Sequence, residues 1–409
     1  MATDSKASQY TPIYKGRDFF VPAFEVKISG QDVPKKVLHD VIEVRYTDSV
    51  DKFDTFEITI NNWDDVNRDF KYTGPHKGGQ DPDGRDRLFD PGKEIEIWMG
   101  YFSPTDAASR DKDKPEPLRL MMAGIITKLA PTFPPAGQPT LKISGQNALV
   151  KMIAKQNTHT YKAGLKDSQI AKQIGDSGAL KIGNMKIGVK TNPQAMQSET
   201  ENVQPVIQTN QYDILFLLQL AKKNDYDIYL DKEESGGNTN LFLNFGPSGK
   251  ESTKYLLEWG KSLTQFQPTL TTMRQVKELT VRGWDMNAKK PIKETVKRSD
   301  IKPRGMSDLD RLYELEQGFS EKSEIVVNEP FHSPAEARKR AEDLMKNLNK
   351  SLVKAKGATI GTPDLHAGRR IYVAGLGQTF EGEYFLTSTT HTIGANGYTT
   401  DFDARMEET

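Results

Sequence analysis

The sequence carries one β-pattern twice, and that limits the folds open to it more than any other feature. The stretch Gly368–Arg405 reads GRRIYVAGLGQTFEGEYFLTSTTHTIGANGYTTDFDAR, and a looser copy lies far upstream. GKEIEIW at Gly92–Trp98 echoes GRRIYVA at Gly368–Ala374, both fitting Gly-[Lys/Arg]-x-Ile-x-[Ile/Val]. Thr127, Gly137 and Thr140 recur as Thr387, Gly397 and Thr400, with ten and then three residues between successive positions in both copies. In the later copy Ile371 and Val373 alternate on one face. The run Tyr384–Thr392 leads through an Ala-Asn-Gly-Tyr turn to a closing strand, Thr399–Ala404. The pattern therefore predicts two β-modules of one design, in which Gly92–Ser144 and Gly368–Arg405 superpose.

A chain of 409 residues has room for two to four domains with separate cores. Lys plus Arg is 56 and Asp plus Glu is 56, so the formal net charge is zero. That balance argues against a protein whose main task is gripping nucleic acid, which needs a basic excess to release counterions. With no cysteine there is no disulfide framework, thiolate metal site or cysteine nucleophile. The N-terminus MATDSKASQYTPIYKGRDFF has no apolar core, so no signal peptide is expected and synthesis in the cytoplasm is. The longest apolar run, Ile214–Leu218, is too short to span a bilayer.

Taken in order, residues 1–18 read as a polar extended arm, either disordered or used against a partner. Residues 19–150 read as the first β-module. Phe56, Ile58 and Ile60 point one way there, and Thr55, Glu57 and Thr59 the other, which is the period of a half-buried antiparallel strand. Residues 151–265 read as an inserted α+β domain. It has a short helix capped by Asp167 or Ser168 and stopped at Gly175, a polar connection Thr191–Asn210, and a second helix capped by Asn210 with Asp213 in its first turn. A hairpin, Asp227–Asp231 and Leu241–Phe245, follows. Residues 266–409 read as the second β-module, with strands at Leu279–Asp285 and Pro291–Val296. A helix at about 334–350 opens on the capping box Ser333-Pro334-Ala335-Glu336. The predicted class is α+β dominated by antiparallel β-strands.

Signals for chemistry are weak throughout, and no catalytic, cofactor-binding or metal-binding residue is assigned. His39, His76, His159, His332, His366 and His391 are scattered, with no ligand-like spacing, and fit structural or surface roles. The run Asp81–Asp86 resembles the start of a calcium loop, but Gly84 falls early and Gly92 stands where the closing glutamate belongs. Ser248-Gly249-Lys250 lacks the glycine spacing of a phosphate loop, and Gly375-Leu376-Gly377 lies between strands rather than at a strand-to-helix turn. The pair Glu233-Glu234 sits in an exposed turn. Trp63, Trp98, Trp259 and Trp284 lie on or beside strands, as core or interface anchors.

Six segments in order carry a resemblance to a known family. They are Met122–Asn147, QTNQYDILFLLQLAKKNDYDIYLD (Gln208–Asp231), LLEWGKSLTQFQPTL (Leu256–Leu270), VRGWD (Val281–Asp285), SPAEARKRAEDLM (Ser333–Met345) and Gly361–Ile393. The chain from about residue 20 onward resembles the baseplate hub family of contractile phage tails and contractile injection systems. This is the phage late control gene D protein family, related to the hub region of the type VI spike protein VgrG. The resemblance implies two tube-protein-like barrels per chain, assembled as a homotrimer with pseudo-sixfold symmetry, that join a hexameric inner tube or its initiator to a trimeric spike. Because the sequence stops at Thr409, the spike is expected on a separate chain, unless the sequence is a truncated one. Baseplate wedge proteins are further implied partners, as is cargo in the lumen, with no cofactor, no enzymatic role and residence in a phage tail or injection particle. The alternatives are a tail-tip enzyme that degrades cell wall, which needs a buried acid in a sugar-sized cleft, and an adhesin or carbohydrate-binding tail module.

Overall fold

The computed structural model describes the chain apart from residues 1–9, 15–18, 20, 75–86, 103–117, 178–180, 183–184, 236–237, 248–254, 272–274, 286–287, 302–322, 327–330, 332, 378 and 408–409. The calcium-like run, the Ser248–Lys250 segment, His76 and His332 lie outside the described residues.

Alternating apolar residues set six strands around the first core: β2 (Val21–Ile28), β3 (Val41–Ser49), β4 (Thr55–Asn61), β5 (Glu94–Phe102), β6 (Arg119–Thr132) and β7 (Thr140–Asn147). A two-residue strand, β1 (Thr11–Pro12), precedes them. The order across the sheet is β2-β5-β6-β7-β4-β3, all antiparallel. Val26 of β2 and Val44 of β3 stand at opposite ends of that order, yet both join Phe56, Ile58, Ile95, Ile97 and Ile143 in one cluster. The sheet therefore curls around a single core as a barrel does, although β2 and β3 are not hydrogen-bonded to each other.

The inserted region builds its own layer from α1 (Asp167–Asp176), α2 (Asp213–Lys223), β8 (Asp227–Ser235) and β9 (Asn238–Gly246). Ile170, Ala171, Ile214, Leu217, Leu243 and Phe245 pack with Leu120 and Ala123 of β6, so this layer sits on the outer side of the first barrel. Three helix ends differ from the sequence reading: α1 starts after Lys166, with Asp167 and Ser168 inside its first turn rather than capping it. The helix α2 starts after Tyr212, without a side-chain cap. Asn210 instead takes a left-handed φ of 46° where the strand Val206–Tyr212 bulges against Gln156–Tyr161. Gly175 lies inside α1 rather than ending it, and a Cβ there would stand 2.5 Å from Val189 Cγ2. Its smallness lets the strand Gly188–Thr191 approach.

The second barrel is assembled from β10 (Tyr255–Glu258), β11 (Leu263–Leu270), β14 (Val353–Ile360), β15 (Arg370–Ala374), β16 (Gly382–Gly394) and β17 (Gly397–Met406). It thus begins upstream of residue 266. Strands β12 (Glu278–Asp285) and β13 (Lys290–Lys297), read from sequence as its opening strands, pair with each other and with Ser323–Val326 instead. With the helix α3 (Pro334–Asn349) they bury a separate small core of Leu279, Val281, Val296, Ala337, Ala341 and Met345. Alternation marks a strand but not the sheet it joins, which explains the difference. The cap of α3 is as read: Ser333 Oγ accepts from the Glu336 amide at 3.2 Å.

The two barrels carry the same ladder. In the second the order is β10-β15-β16-β17-β14-β11, strand for strand the order of the first, with one difference: β10 runs parallel to β15, whereas β2 runs antiparallel to β5. The registers agree as well. Glu94, Ile95 and Ile97 face Ile125, Gly124 and Met122, and Arg370, Ile371 and Val373 face Phe385, Tyr384 and Gly382. Gly92 donates to Ile126 O at 2.7 Å with φ 93°, and Gly368 donates to Leu386 O at 2.8 Å with φ 89°. Thr127 and Thr387 are each the extra residue of a β-bulge, at equivalent points of the β6–β7 and β16–β17 hairpins. A second bulge recurs too, with Ile42 extra against β4 and Thr264 extra against β14. The last marker of the sequence repeat is displaced by one. Thr140 faces Thr132, and its equivalent is Thr399, which faces Thr392, because the first hairpin's connection is one residue longer.

Candidate assembly surface

No group of side chains among the described residues gathers the carboxylates, histidines or cysteines that hold a metal ion. What the fold builds instead is a joint between the barrels. Beyond the bulge at Thr387, β16 leaves β15 and pairs antiparallel with β3, setting Ser388–Ile393 against Ser49–Val44. Ile393 and Tyr398 of the second barrel are thereby buried in the core of the first.

A buried polar cluster fills this joint. Asp48 of β3 is 5% exposed and accepts four hydrogen bonds. They come from the Thr389 amide at 3.0 Å, the Thr389 hydroxyl, the Ala367 amide at 3.1 Å and His366 Nδ1 at 3.1 Å. Burial alone would raise this carboxyl, but the hydrogen bonds from His366 and Thr389 hold it below the ordinary carboxylate range. Asp54 behaves in the opposite way. Burial, and then the charge of Asp48, push it well above that range, while Asn147 Nδ2 donates to it at 2.8 Å.

Tyr46 stacks on His391 with ring centroids 6.0 Å apart. The His391 ring bridges Leu365 O at 2.8 Å through Nε2 and the Tyr398 hydroxyl at 2.9 Å through Nδ1. Nε2 therefore carries the proton and Nδ1 accepts. Lys232 enters from β8, its amine bonded to Leu120 O and lowered by burial to about 8. The inserted layer is also tied to the second barrel by Arg405–Asp227 at 3.0 Å and Arg369–Asp231 at 3.1 Å.

The joint predicts an acid response. Burial drives His391 down to about 3, against about 6.5 in an unfolded chain. Between those values the unfolded state takes up a proton that the folded state refuses. The stabilisation is present above the unfolded value and is lost as pH falls toward the folded one. The loss is about 1.4 kcal/mol for each pH unit below the unfolded value. Urea unfolding from pH 7 to 4 should therefore be steeper in pH for the natural chain than for His391→Asn. Equal slopes would refute the assignment. Raised Asp54 works with the opposite sign in both proteins, so the difference between them isolates His391.

Two stretches equivalent to the joint meet no second strand among the described residues. Residues Lys128–Phe133 of β6 pair with β7 on one side, but β5 leaves them at Ile125. Strand β11 pairs with β14 and with no other described strand. The arm residues are occupied: Thr11–Pro12 pair with β10, Ile13 is buried in the second core, and Tyr10 bonds Glu383. The described part of the arm, Tyr10–Ile13, thus packs on its own chain. Trp259 and Trp284 are 52% and 51% exposed, so neither is a core residue. Of the histidines, His159 is exposed, whereas His366 and His391 lie in the joint. Nothing in the spacing of His366, His391 and Asp48 along the chain shows that they meet.

The model of the family described as the Alg8 N-terminal domain matches residues 20–395. No curated protein matches the sequence. Among solved structures, the 43 kDa tail protein of prophage MuSo2 from Shewanella oneidensis is similar in fold at a TM-score of 0.62 and 14% identity, over 94% of this chain and 98% of that one. The tail protein from Neisseria meningitidis MC58 is similar at 0.62 and 13%, over 94% and 97%. A chain of the Francisella PdpA–VgrG complex is similar at 0.51 and 9%, over 94% of this chain and 52% of that longer one. At these identities the likeness is one of fold. No helix among the described residues is long and apolar enough to cross a membrane.

Proposed function

The chain belongs to the Alg8 N-terminal domain family, and from that premise we propose that it is the structural hub of a contractile tail-like injection machine. In this role it joins a hexameric inner tube to a trimeric spike. One observation carries the reading: a single ladder, bulges included, occurs twice in one chain and is fused through a strand pair whose counterparts at the far ends meet no second strand among the described residues. Three such chains present six similar β-units on one face, enough to meet a sixfold tube, while the assembly keeps true threefold symmetry for a spike. The mechanism is geometric matching of symmetry. The fold shared with two tail proteins and with a VgrG chain supports the same reading, as does the sequence resemblance to the late control gene D proteins. The modules on this reading are tube-like barrels, with the layer around α1 and α2 and the small sheet around α3 inserted into them.

The reading is tested in the cells that make the particle. Deleting the gene for this chain is expected to abolish spiked tubes, with electron microscopy of particle preparations showing either no tubes or tubes without a tip. Intact spiked tubes made without the chain would sink the proposal.

A further inference from the structure

We propose that the outer face of the small sheet around α3 is a docking surface for an acidic segment of another protein, held by Arg282 and Lys293 and seated on Trp284. The face belongs neither to the joint nor to the strands of either barrel. The inference therefore does not depend on the hub reading above.

Alternation divides this sheet into two unlike faces. Leu279, Val281, Ile292 and Val296 are buried against Ala337, Ala341 and Met345 of α3. The residues between them point the other way. There the register sets Thr280 opposite Thr295, Arg282 opposite Lys293 and Trp284 opposite Pro291. The hydroxyls of Thr280 and Thr295 lie 2.9 Å apart on that side. Ile325, on the strand Ser323–Val326, stands beside Thr280. Trp284 and Ile325 are 51% and 49% exposed, and Arg282, Pro291 and Lys293 are exposed as well, so the middle of the face lies open to solvent.

An antiparallel sheet can wet one face, and opposite charges across its strands then stabilise it. Both ends of the β12–β13 pair follow that rule: Glu278 faces Lys297, and Asp285 faces Lys290. The centre breaks it. Arg282 stands directly opposite Lys293, and like charges so placed repel. Neither has an ion-pair partner among the described residues. Glu294 and Glu324, which face Val281 and Leu279, fall on the side turned to α3 and offer no relief. The chain as a whole has zero net charge, so this uncompensated pair beside an open tryptophan is a local feature. A sequence breaks a local rule in this way where a site has to be kept ready. A carboxylate set between the guanidinium and the ammonium would relieve the repulsion and accept charge-assisted hydrogen bonds from both. Trp284 and Pro291 beside them form an apolar seat for a neighbouring side chain, and Trp and Arg are common anchors of protein interfaces. Nucleic acid fits less well, because Arg282, Lys293 and Lys297 supply few phosphate contacts and Trp284 a single stacking platform.

Photo-crosslinking in the cells that make this chain tests the proposal. The full chain carrying Trp284→p-benzoylphenylalanine should, on irradiation, form an adduct with one other protein. Mass spectrometry should place that adduct within a segment rich in Asp and Glu. Adding Arg282→Glu and Lys293→Glu should cut the yield at least about tenfold, as expected when interface anchors are reversed. No adduct, an adduct in a neutral or basic segment, a crosslink to nucleic acid or to a second copy of this chain, or a yield indifferent to the reversal would each overturn the proposal. Thermal unfolding of the purified chain separates binding from folding. Lys293→Glu alone turns the like-charge pair into an opposite-charge pair, so its unfolding midpoint should equal or exceed that of the natural chain while the crosslink weakens. A lower midpoint would make Lys293 a residue that holds the sheet together and would overturn its role in docking. The adduct is read whether or not spiked tubes form, so failure here leaves the hub reading standing, and failure of the hub reading leaves this one.

Discussion

Replacing Asp48 by alanine is expected to remove about 3–5 kcal/mol of stability, as much as breaking a buried charged network costs elsewhere. The reason lies in what remains. The amides of Thr389 and Ala367, the Thr389 hydroxyl and His366 Nδ1 would all stay in a site closed to water, with their acceptor gone. The damage should be local in cause and wide in effect, because Asp48 ties β3 of one barrel to β16 and to the Leu365–Ala367 turn of the other. Asp48→Asn keeps the shape but presents an amide N–H₂ to groups that are themselves donors, so it should recover only part of the loss. Guanidinium unfolding followed by fluorescence reads both. A loss under about 1 kcal/mol for the alanine variant would show that the cluster does not hold the barrels together.

Gly145→Ala should cost about 3 kcal/mol, at the upper end for an overpacked core, although it adds a single methyl group. A Cβ at this position would stand 2.0 Å from Ile125 O and 2.4 Å from the Phe56 ring. Ile125 O belongs to the partner strand beside the Thr127 bulge and cannot retreat without breaking the ladder. The second barrel shows the alternative solution. There the corresponding pair is Ala404 facing Ala355, with no aromatic ring over a glycine. Two residues along, on the same face, the arrangement reverses: Ile143 faces Ile58 in the first barrel, whereas Phe402 covers Gly357 in the second, 2.3 Å from where its Cβ would be. In this strand pair each barrel thus places an aromatic ring over a glycine, two residues apart in the shared register. In a double-mutant cycle with Phe56→Ala, the losses should fall short of additive by about 1 kcal/mol or more, because a displaced ring has less packing left to lose. Strict additivity would show that Gly145 and Phe56 do not share the space.

Much of the repeat is legible in the sequence because its markers are local. Gly92 and Gly368 are needed for a left-handed turn before a strand, and Thr127 and Thr387 mark bulges, so each leaves a trace at one position. The Ser333 cap is legible for the same reason, since its acceptor and donor are three residues apart. The failures involve partners that sequence distance hides. Asn210 looked like a helix cap until a bulged strand claimed it. Strands β12 and β13 alternate well but join a sheet built around α3. The joint cluster has no local signature, since Asp48 meets His366 and Thr389 from the opposite end of the chain.

By itself, the sequence determined that the chain is a β-rich protein with one pattern used twice, that its charges balance, and that cysteine chemistry is absent. Those properties depend on residue type, short-range spacing and backbone preferences, all of which act over a few residues. Only the tertiary structure decided that the two ladders agree down to their bulges, and that one pair of their edges is fused within the chain. Strand alternation specifies which face of a strand is buried. It does not specify which edge meets which, because every backbone edge offers the same hydrogen-bonding groups, and the choice is made by packing across the whole fold.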